Sequence, residues 1–299
     1  MITLENVTKT FGKQSAVNGV SLEIASGEIF GLVGPDGAGK TTTIRMLCGL
    51  LSPTSGNLSV LGAANPEAIK HHLGYVPQRF SLYGDLTVME NIRFIGSLYG
   101  QTTDKINALA ANVLNFTNLL PFKDRYADNL SGGMKQKLAL AAGLMHKPTL
   151  FFLDEPTTGV DPVSRREFWQ MLYQLNKEGT SIFVSTPYMD EAELCTRVAF
   201  MNEGRIISSG SPQELRRSYK YQVFELSTPD RNLKARLKSS GLRDINAFGE
   251  KYHLVTDSSP TAITTVKAAL AAANISITDL NEISPNLEDV FVALASEVN

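Results

Sequence analysis

Apolar positions up to about residue 215 follow two rhythms, short β-type runs and longer stretches with apolar side chains three or four residues apart. Their alternation predicts an α/β domain with parallel strands. Glu28-Ile29-Phe30-Gly31-Leu32-Val33 reads as a strand running into glycine, and a helical pattern follows over residues 40–51. Thr149-Leu150-Phe151-Phe152-Leu153 is apolar without a break, the pattern of a strand covered on both faces, and it stops at Asp154-Glu155. Polar groups therefore collect at the carboxyl ends of two buried strands, where open α/β sheets bind ligands.

Between these strands, residues 105–122 turn helical, with Leu109, Val113, Phe116 and Leu120 repeating at helical spacing, inside a helical insertion expected over about 85–145. Beyond Ser211-Pro212-Gln213-Glu214-Leu215 the rhythm changes and phosphate-binding patterns cease, which predicts domains at 1–215 and 216–299. The second runs strand (221–226), helix (233–239), strands (245–248 and 252–256), helix (261–273), strand (275–280) and a closing helix from Leu287. That order predicts a small ferredoxin-like α+β fold.

Composition acts mainly by exclusion. A net charge of −2 without a block of Lys or Arg gives no electrostatic footprint for nucleic acid, so no nucleic-acid partner is expected. Cys48 and Cys195 stand in no metal-ligand spacing and predict free, buried thiols in a reducing compartment. Met1-Ile2-Thr3-Leu4-Glu5 does not read as a secretion signal. The richest apolar run, residues 138–145, falls short of the roughly 18 to 20 residues that span a bilayer. Any service to a membrane is expected to go through a partner.

The candidate chemistry lies at the two strand ends. Gly34-Pro35-Asp36-Gly37-Ala38-Gly39-Lys40-Thr41 fits the phosphate-loop pattern, with strand before and helix after. Glycines without side chains let successive N–H groups curl around an anion at a helix N-terminus, where the helix dipole also favours negative charge. Lys40 is expected to neutralise the β- and γ-phosphates of ATP while the Thr41 hydroxyl ligates Mg2+. Phosphoryl transfer also needs a metal-facing carboxylate and a group that activates water, roles expected of Asp154 and of Glu155 as general base.

Leu130-Ser131-Gly132-Gly133-Met134-Lys135-Gln136 adds a second anion site, because Ser131 begins a helix whose Gly132 and Gly133 amides point outward. Here the chain resembles the ATP-binding cassette (ABC) family, whose signature this stretch matches. The resemblance covers residues 2 to about 215 and implies a P-loop NTPase core in which the second site caps an ATP held by a partner. It implies a head-to-tail dimer with ATP sandwiched between subunits, either a homodimer or a pairing with a second cassette. It further implies Phe11 stacked on adenine, and Val17, Pro35, Asp36, Ala38 and Thr42 at the nucleotide. Gln78 after Gly74-Tyr75-Val76-Pro77 is implied at the metal, and Asp161 after Gly159-Val160 at the nucleotide. The tail Ser284-Pro285-Asn286-Leu287-Glu288-Asp289-Val290-Phe291, and Glu90-Asn91 after Leu86-Thr87-Val88, resemble drug and lipid exporters of the ABC-2 type. The implied function is that of an ATPase subunit, peripheral at the cytoplasmic face of the inner (plasma) membrane, driving export through separate integral membrane permease subunits.

Two positions depart from the family pattern. Asp36 replaces the usual asparagine and is expected to point away from the phosphates. Pro187, in Val184-Ser185-Thr186-Pro187-Tyr188-Met189-Asp190-Glu191-Ala192-Glu193, replaces a histidine that donates to the γ-phosphate; proline has no such donor. The alternative function is thus a low-turnover regulatory cassette, unless Ser185, Thr186 or a water supplies the missing hydrogen bond.

Overall fold

A hairpin opens the chain: β1 (Ile2–Phe11) and β2 (Gln14–Ile24) run antiparallel and turn at Gly12, whose φ of 60° suits glycine. Next come β3 (Ile29–Val33), α1 (Lys40–Leu47) and β4 (Ser55–Val60), the last completing a three-stranded sheet in the order β2-β1-β4. β5 (Leu73–Val76) precedes a helical segment of α2 (Val88–Leu98), α3 (Thr103–Phe116) and α4 (Gly132–Gly143). The chain then returns through β6 (Leu150–Asp154), α5 (Pro162–Lys177), β7 (Ser181–Thr186), α6 (Met189–Ala192), β8 (Arg197–Asn202) and β9 (Arg205–Gly210). The computed structural model describes residues 1–100, 102–238 and 240–298, in two compact units, Met1–Pro212 and Gln213–Asn299.

The main sheet of the first unit has the order β5-β6-β7-β3-β8-β9, parallel except where β9 joins β8. Strands covered on both faces must be apolar on both, and every residue of β3, β6 and β7 is buried. The rings of Phe30 and Phe152 pack against Phe183 at centroid distances of 5.4 and 5.5 Å. Burying each such side chain contributes about 1.5–3 kcal/mol, so the register of these strands is strongly fixed. Register in turn places the chemistry. Val33 pairs with Thr186, Asp154 with Ser185, and Val76 with Leu153, so β3, β5, β6 and β7 all end on one edge of the sheet.

In the second unit, α7 (Pro212–Arg217) is followed by β10 (Tyr221–Ser227), α8 (Leu233–Arg236), β11 (Asp244–Phe248), β12 (Lys251–Asp257), α9 (Ala262–Ala272), β13 (Asp279–Ile283) and α10 (Leu287–Val298). Its antiparallel sheet has the order β11-β12-β10-β13, the arrangement of a ferredoxin-like fold. Phe224, Leu226, Leu254, Val266 and Leu270 form its own core.

Several element ends differ from the sequence expectation for identifiable reasons. The helix expected over 40–51 stops at Leu47, because Gly49 takes φ 73°. The helix expected over 105–122 ends at Phe116; Asn118 turns left-handed (φ 58°), and Pro121 belongs to a separate 3-10 turn. The strand expected at 275–280 is displaced to Asp279–Ile283. Ile275 is apolar because it packs into the core, and its amide donates to the Leu270 carbonyl to finish α9. The helix expected over 233–239 is formed only at Leu233–Arg236, and Ser239 lies outside the described residues.

Candidate functional site

The phosphate-loop segment bridges the end of β3 and the start of α1. Gly37 and Gly39 hold φ of 79° and 105°, conformations that side chains resist. A Cβ on Gly34 would lie 2.1 Å from the Met201 carbonyl oxygen, and one on Gly39 would lie 2.3 Å from that of Ala16. The chain's own backbone thus requires glycine at both. The buried Ala38 anchors the loop by accepting the Gly204 amide through its carbonyl. No hydrogen bond among the described residues uses the amides of Gly37, Gly39, Lys40 or Thr41, which leaves a cradle of donors at the N-terminus of α1, suited to phosphate oxygens.

Lys40 is 3% exposed and donates to the Gly34 and Pro35 carbonyls at 2.8 and 3.0 Å. Its ammonium also lies 3.1 Å from Glu155 Oε1. The Thr41 hydroxyl donates to Asp154 Oδ1 at 3.0 Å, and Ser185 donates to the same oxygen at 2.7 Å. Asp154 Oδ2 is buried without a hydrogen-bond partner. A buried carboxylate oxygen normally has one, and an unpaired oxygen beside a threonine hydroxyl is the donor set of a hard divalent cation. Thr41 and Asp154 therefore fit Mg2+. The charge of Asp154 also acts on Cys48, whose thiol is pushed well above its usual range, first by burial and then by that carboxylate.

Glu155 follows β6 in a left-handed conformation (φ 48°) and is 5% exposed. Gln78, one residue past Pro77 at the end of β5, donates from Nε2 to Glu155 Oε2 at 2.9 Å, so strand order brings these two together. Ser185, expected from sequence only as a stand-in donor, is a structural tie: its hydroxyl accepts the Glu155 amide at 3.1 Å. Nothing local in sequence signals that pairing, which depends on the β6–β7 register.

The other expected residues fall in several places. Asp36 is exposed, in keeping with a carboxylate turned to solvent. Thr42 is half-buried in the first turn of α1, and Phe11 is 52% exposed at the end of β1, with Lys9 Nζ 5.3 Å from its ring centroid. The Val17 side chain is wholly buried in the hydrophobic core, so it can present only backbone to a ligand. Ser131 caps α4 by accepting the Met134 amide at 3.3 Å. No hydrogen bond among the described residues joins this turn to the phosphate loop. It rests instead on the start of α5: a Cβ on Gly133 would lie 2.6 Å from that of Ser164. Asp161 caps α5, and the amides of Ser164 and then Val163 hold its carboxyl below the usual range. Glu90 closes a capping box with Thr87, while the wholly buried Asn91 donates to the Tyr83, Leu86 and Thr87 carbonyls. Asn91 thus shapes its stretch from within.

Neither hydroxyl beside Pro187 is free. That of Ser185 is committed to Asp154, and that of Thr186 donates to Glu191 Oε2 at 2.6 Å while accepting the Tyr188 amide at 3.1 Å.

Comparison with known proteins extends this geometry. A family model described as ABC transporter matches residues 17–158, and one for the C-terminal domain of DrrA1-3-like ATP-binding proteins matches residues 210–295. The chain is 42% identical to the probable multidrug ABC transporter ATP-binding protein YbhF of Escherichia coli, over 98% of its own length but 52% of that protein, about half. It is 35% identical to the linearmycin resistance ATP-binding protein LnrL of Bacillus subtilis, over 98% of both chains. Among solved structures, a dimeric ATP-binding cassette in a post-hydrolysis state with ADP and Pi superposes with a TM-score of 0.66 at 26% identity, covering 71% of this chain and 98% of that one. With a phosphate cradle, paired strand-end carboxylates and a full-length relative at this identity, the chain belongs to the ATP-binding cassette transporter family.

Proposed function

We propose that the chain binds and hydrolyses ATP as the nucleotide-driven subunit of an ABC-2 type exporter, at the cytoplasmic face of the membrane, acting through separate integral membrane permease subunits. The observation that carries the nucleotide chemistry is the buried, unpaired Asp154 Oδ2, set beside Thr41 and Glu155 at the edge of a glycine-held amide cradle. Lys40 exchanges the Gly34 and Pro35 carbonyls for the β- and γ-phosphates, and Glu155 accepts a proton from the attacking water. Gln78, already bonded to Glu155, would touch the metal and report the state of the site to the permease, a role its hydrogen bond to the general base supports. Mg2+ held by Thr41, Asp154 and Gln78 would offset the phosphate charge.

Export rests on the names of relatives, which include multidrug, linearmycin resistance and Nod factor export proteins. No helix among the described residues is long and apolar enough to cross a membrane, which supports a separate permease. Pairing of two cassettes is supported by the dimeric structural neighbour and by the second helix N-terminus at Ser131–Gly133, which no hydrogen bond among the described residues joins to the phosphate loop. The test is Glu155→Gln, whose amide still orients water without accepting its proton. ATP binding should persist, hydrolysis should stop, and light scattering should detect ATP-dependent dimers. Native turnover in that variant would overturn the assignment.

A further inference from the structure

Glu191, on α6, is only 1% exposed, and none of the chemistry above uses it. Its two carboxylate oxygens serve two different segments. Oε2 accepts the Thr186 hydroxyl at 2.6 Å, and Oε1 accepts the Thr157 hydroxyl in a short contact. Both threonines are themselves buried, at 0% and 1% exposure. Thr157 follows Glu155 by one intervening residue; Thr186 ends β7 beside Pro187, and its carbonyl accepts the Gly34 amide at 3.3 Å. Arg165 of α5 closes the remaining side. Its Nε lies 3.5 Å from Glu191 Oε1 as a charge contact without hydrogen-bond alignment, and its guanidinium sits 4.7 Å from the Tyr188 ring centroid. One carboxylate therefore ties together the strand-end segment of Glu155, the Pro187 loop and the helix capped by Asp161.

A buried carboxylate is tolerated when paired, and hydroxyl-to-carboxylate bonds are short and directional. What they restrain here is a residue in an uncommon conformation. A non-glycine residue at φ 48° persists when its surroundings over-determine it. Glu155 has a fastening on each side: Ser185 on its amide, and Thr157, held by Glu191, after Pro156.

We propose that Glu191 is a positioning residue for ATP hydrolysis, holding Glu155 in its left-handed conformation through Thr157 and the Pro187 loop in register with it through Thr186. This rests on the reading of Glu155 as the general base. Thr157→Val and Glu191→Gln, each nearly isosteric, test it in the full chain. Turnover at saturating ATP should fall by about tenfold or more, because misplacing a catalytic group by an ångström is that consequential. The KM for ATP should stay within about twofold of native, since phosphate binding is untouched. Thr157→Ser should restore turnover, and the double variant should be no slower than Glu191→Gln alone. Amide exchange without nucleotide should quicken at residues 155, 157 and 158 in Thr157→Val. Native turnover with unchanged exchange, or additive losses, would overturn the proposal. A native chain without ATPase activity would instead refute the functional reading, and the exchange comparison would then decide this proposal alone.

Discussion

Pro187→His should raise turnover at saturating ATP while changing nucleotide affinity little. Proline offers no donor to a γ-phosphate, and the structure removes the obvious substitutes. The Ser185 proton is spent on Asp154 at 2.7 Å and the Thr186 proton on Glu191 at 2.6 Å, both inside the protein. Turning either towards a phosphate would break a hydrogen bond to a buried carboxylate, a loss of about 1.5–3 kcal/mol. One positioned donor to a transferring phosphoryl group is worth about 3–4 kcal/mol, or roughly 10² to 10³ in rate. Redirecting a hydroxyl would therefore recover only part of that, from about 0 to about 2.5 kcal/mol, and native turnover should be slow. Position 187 is half-buried and has no positive φ, so histidine can adopt the backbone found there. The assay is steady-state phosphate release beside equilibrium binding of a fluorescent nucleotide, on native and variant chains. Turnover typical of exporters in the native chain, unimproved by histidine, would refute this account and point to an ordered water as donor.

Lys40→Ala should abolish hydrolysis and greatly weaken nucleotide binding, read by the same titration; near-native turnover would overturn the phosphate-site assignment. Cys48 and Cys195 should react with a thiol reagent at pH 8 only after denaturation, since burial pushes both thiols well above their usual range; rapid reaction of the folded chain would contradict that burial. Gly132→Ala should leave thermal stability near native yet abolish ATP-dependent dimerisation, measured by light scattering in the Glu155→Gln background. Gly133→Ala should lower stability by about 1–3 kcal/mol through overpacking against Ser164, measured by denaturant unfolding.

The parts of the site legible in sequence were those built by contiguous residues. A loop of glycines between strand and helix, or two carboxylates ending an apolar run, carries its chemistry in its own order. The Ser185 tie to Asp154 and Glu155, and the Glu191 tie to Thr157 and Thr186, are made by side chains that meet only through strand pairing and the return of α6. The sequence around Ser185 and Glu191 carries no local sign of these partners. The fold was legible for a similar reason. Alternation of apolar runs marked the elements, including the order of the C-terminal unit, but not their ends. Leu47 and Phe116 close their helices because Gly49 and Asn118 take positive φ, while Ile275 looked like strand because it is core.

One glycine of the site is not required by its own chain. Gly34 and Gly39 are forced by backbone carbonyls of the same chain, Gly37 by its φ of 79°, and Gly133 by Ser164. Gly132 is forced by none of these. Its φ is not positive, and the nearest atom to an added Cβ would be the Gly159 carbonyl oxygen at 3.7 Å, an ordinary contact. Alanine would also favour the helix that begins there. A glycine that its own fold does not require, at a helix N-terminus whose first amides point outward, is best accounted for by close approach of something outside the chain. In the proposed dimer that something is the phosphate chain of an ATP held by the partner, which is why loss of dimerisation without loss of stability is the expected signature of Gly132→Ala, whereas Gly133→Ala should cost stability.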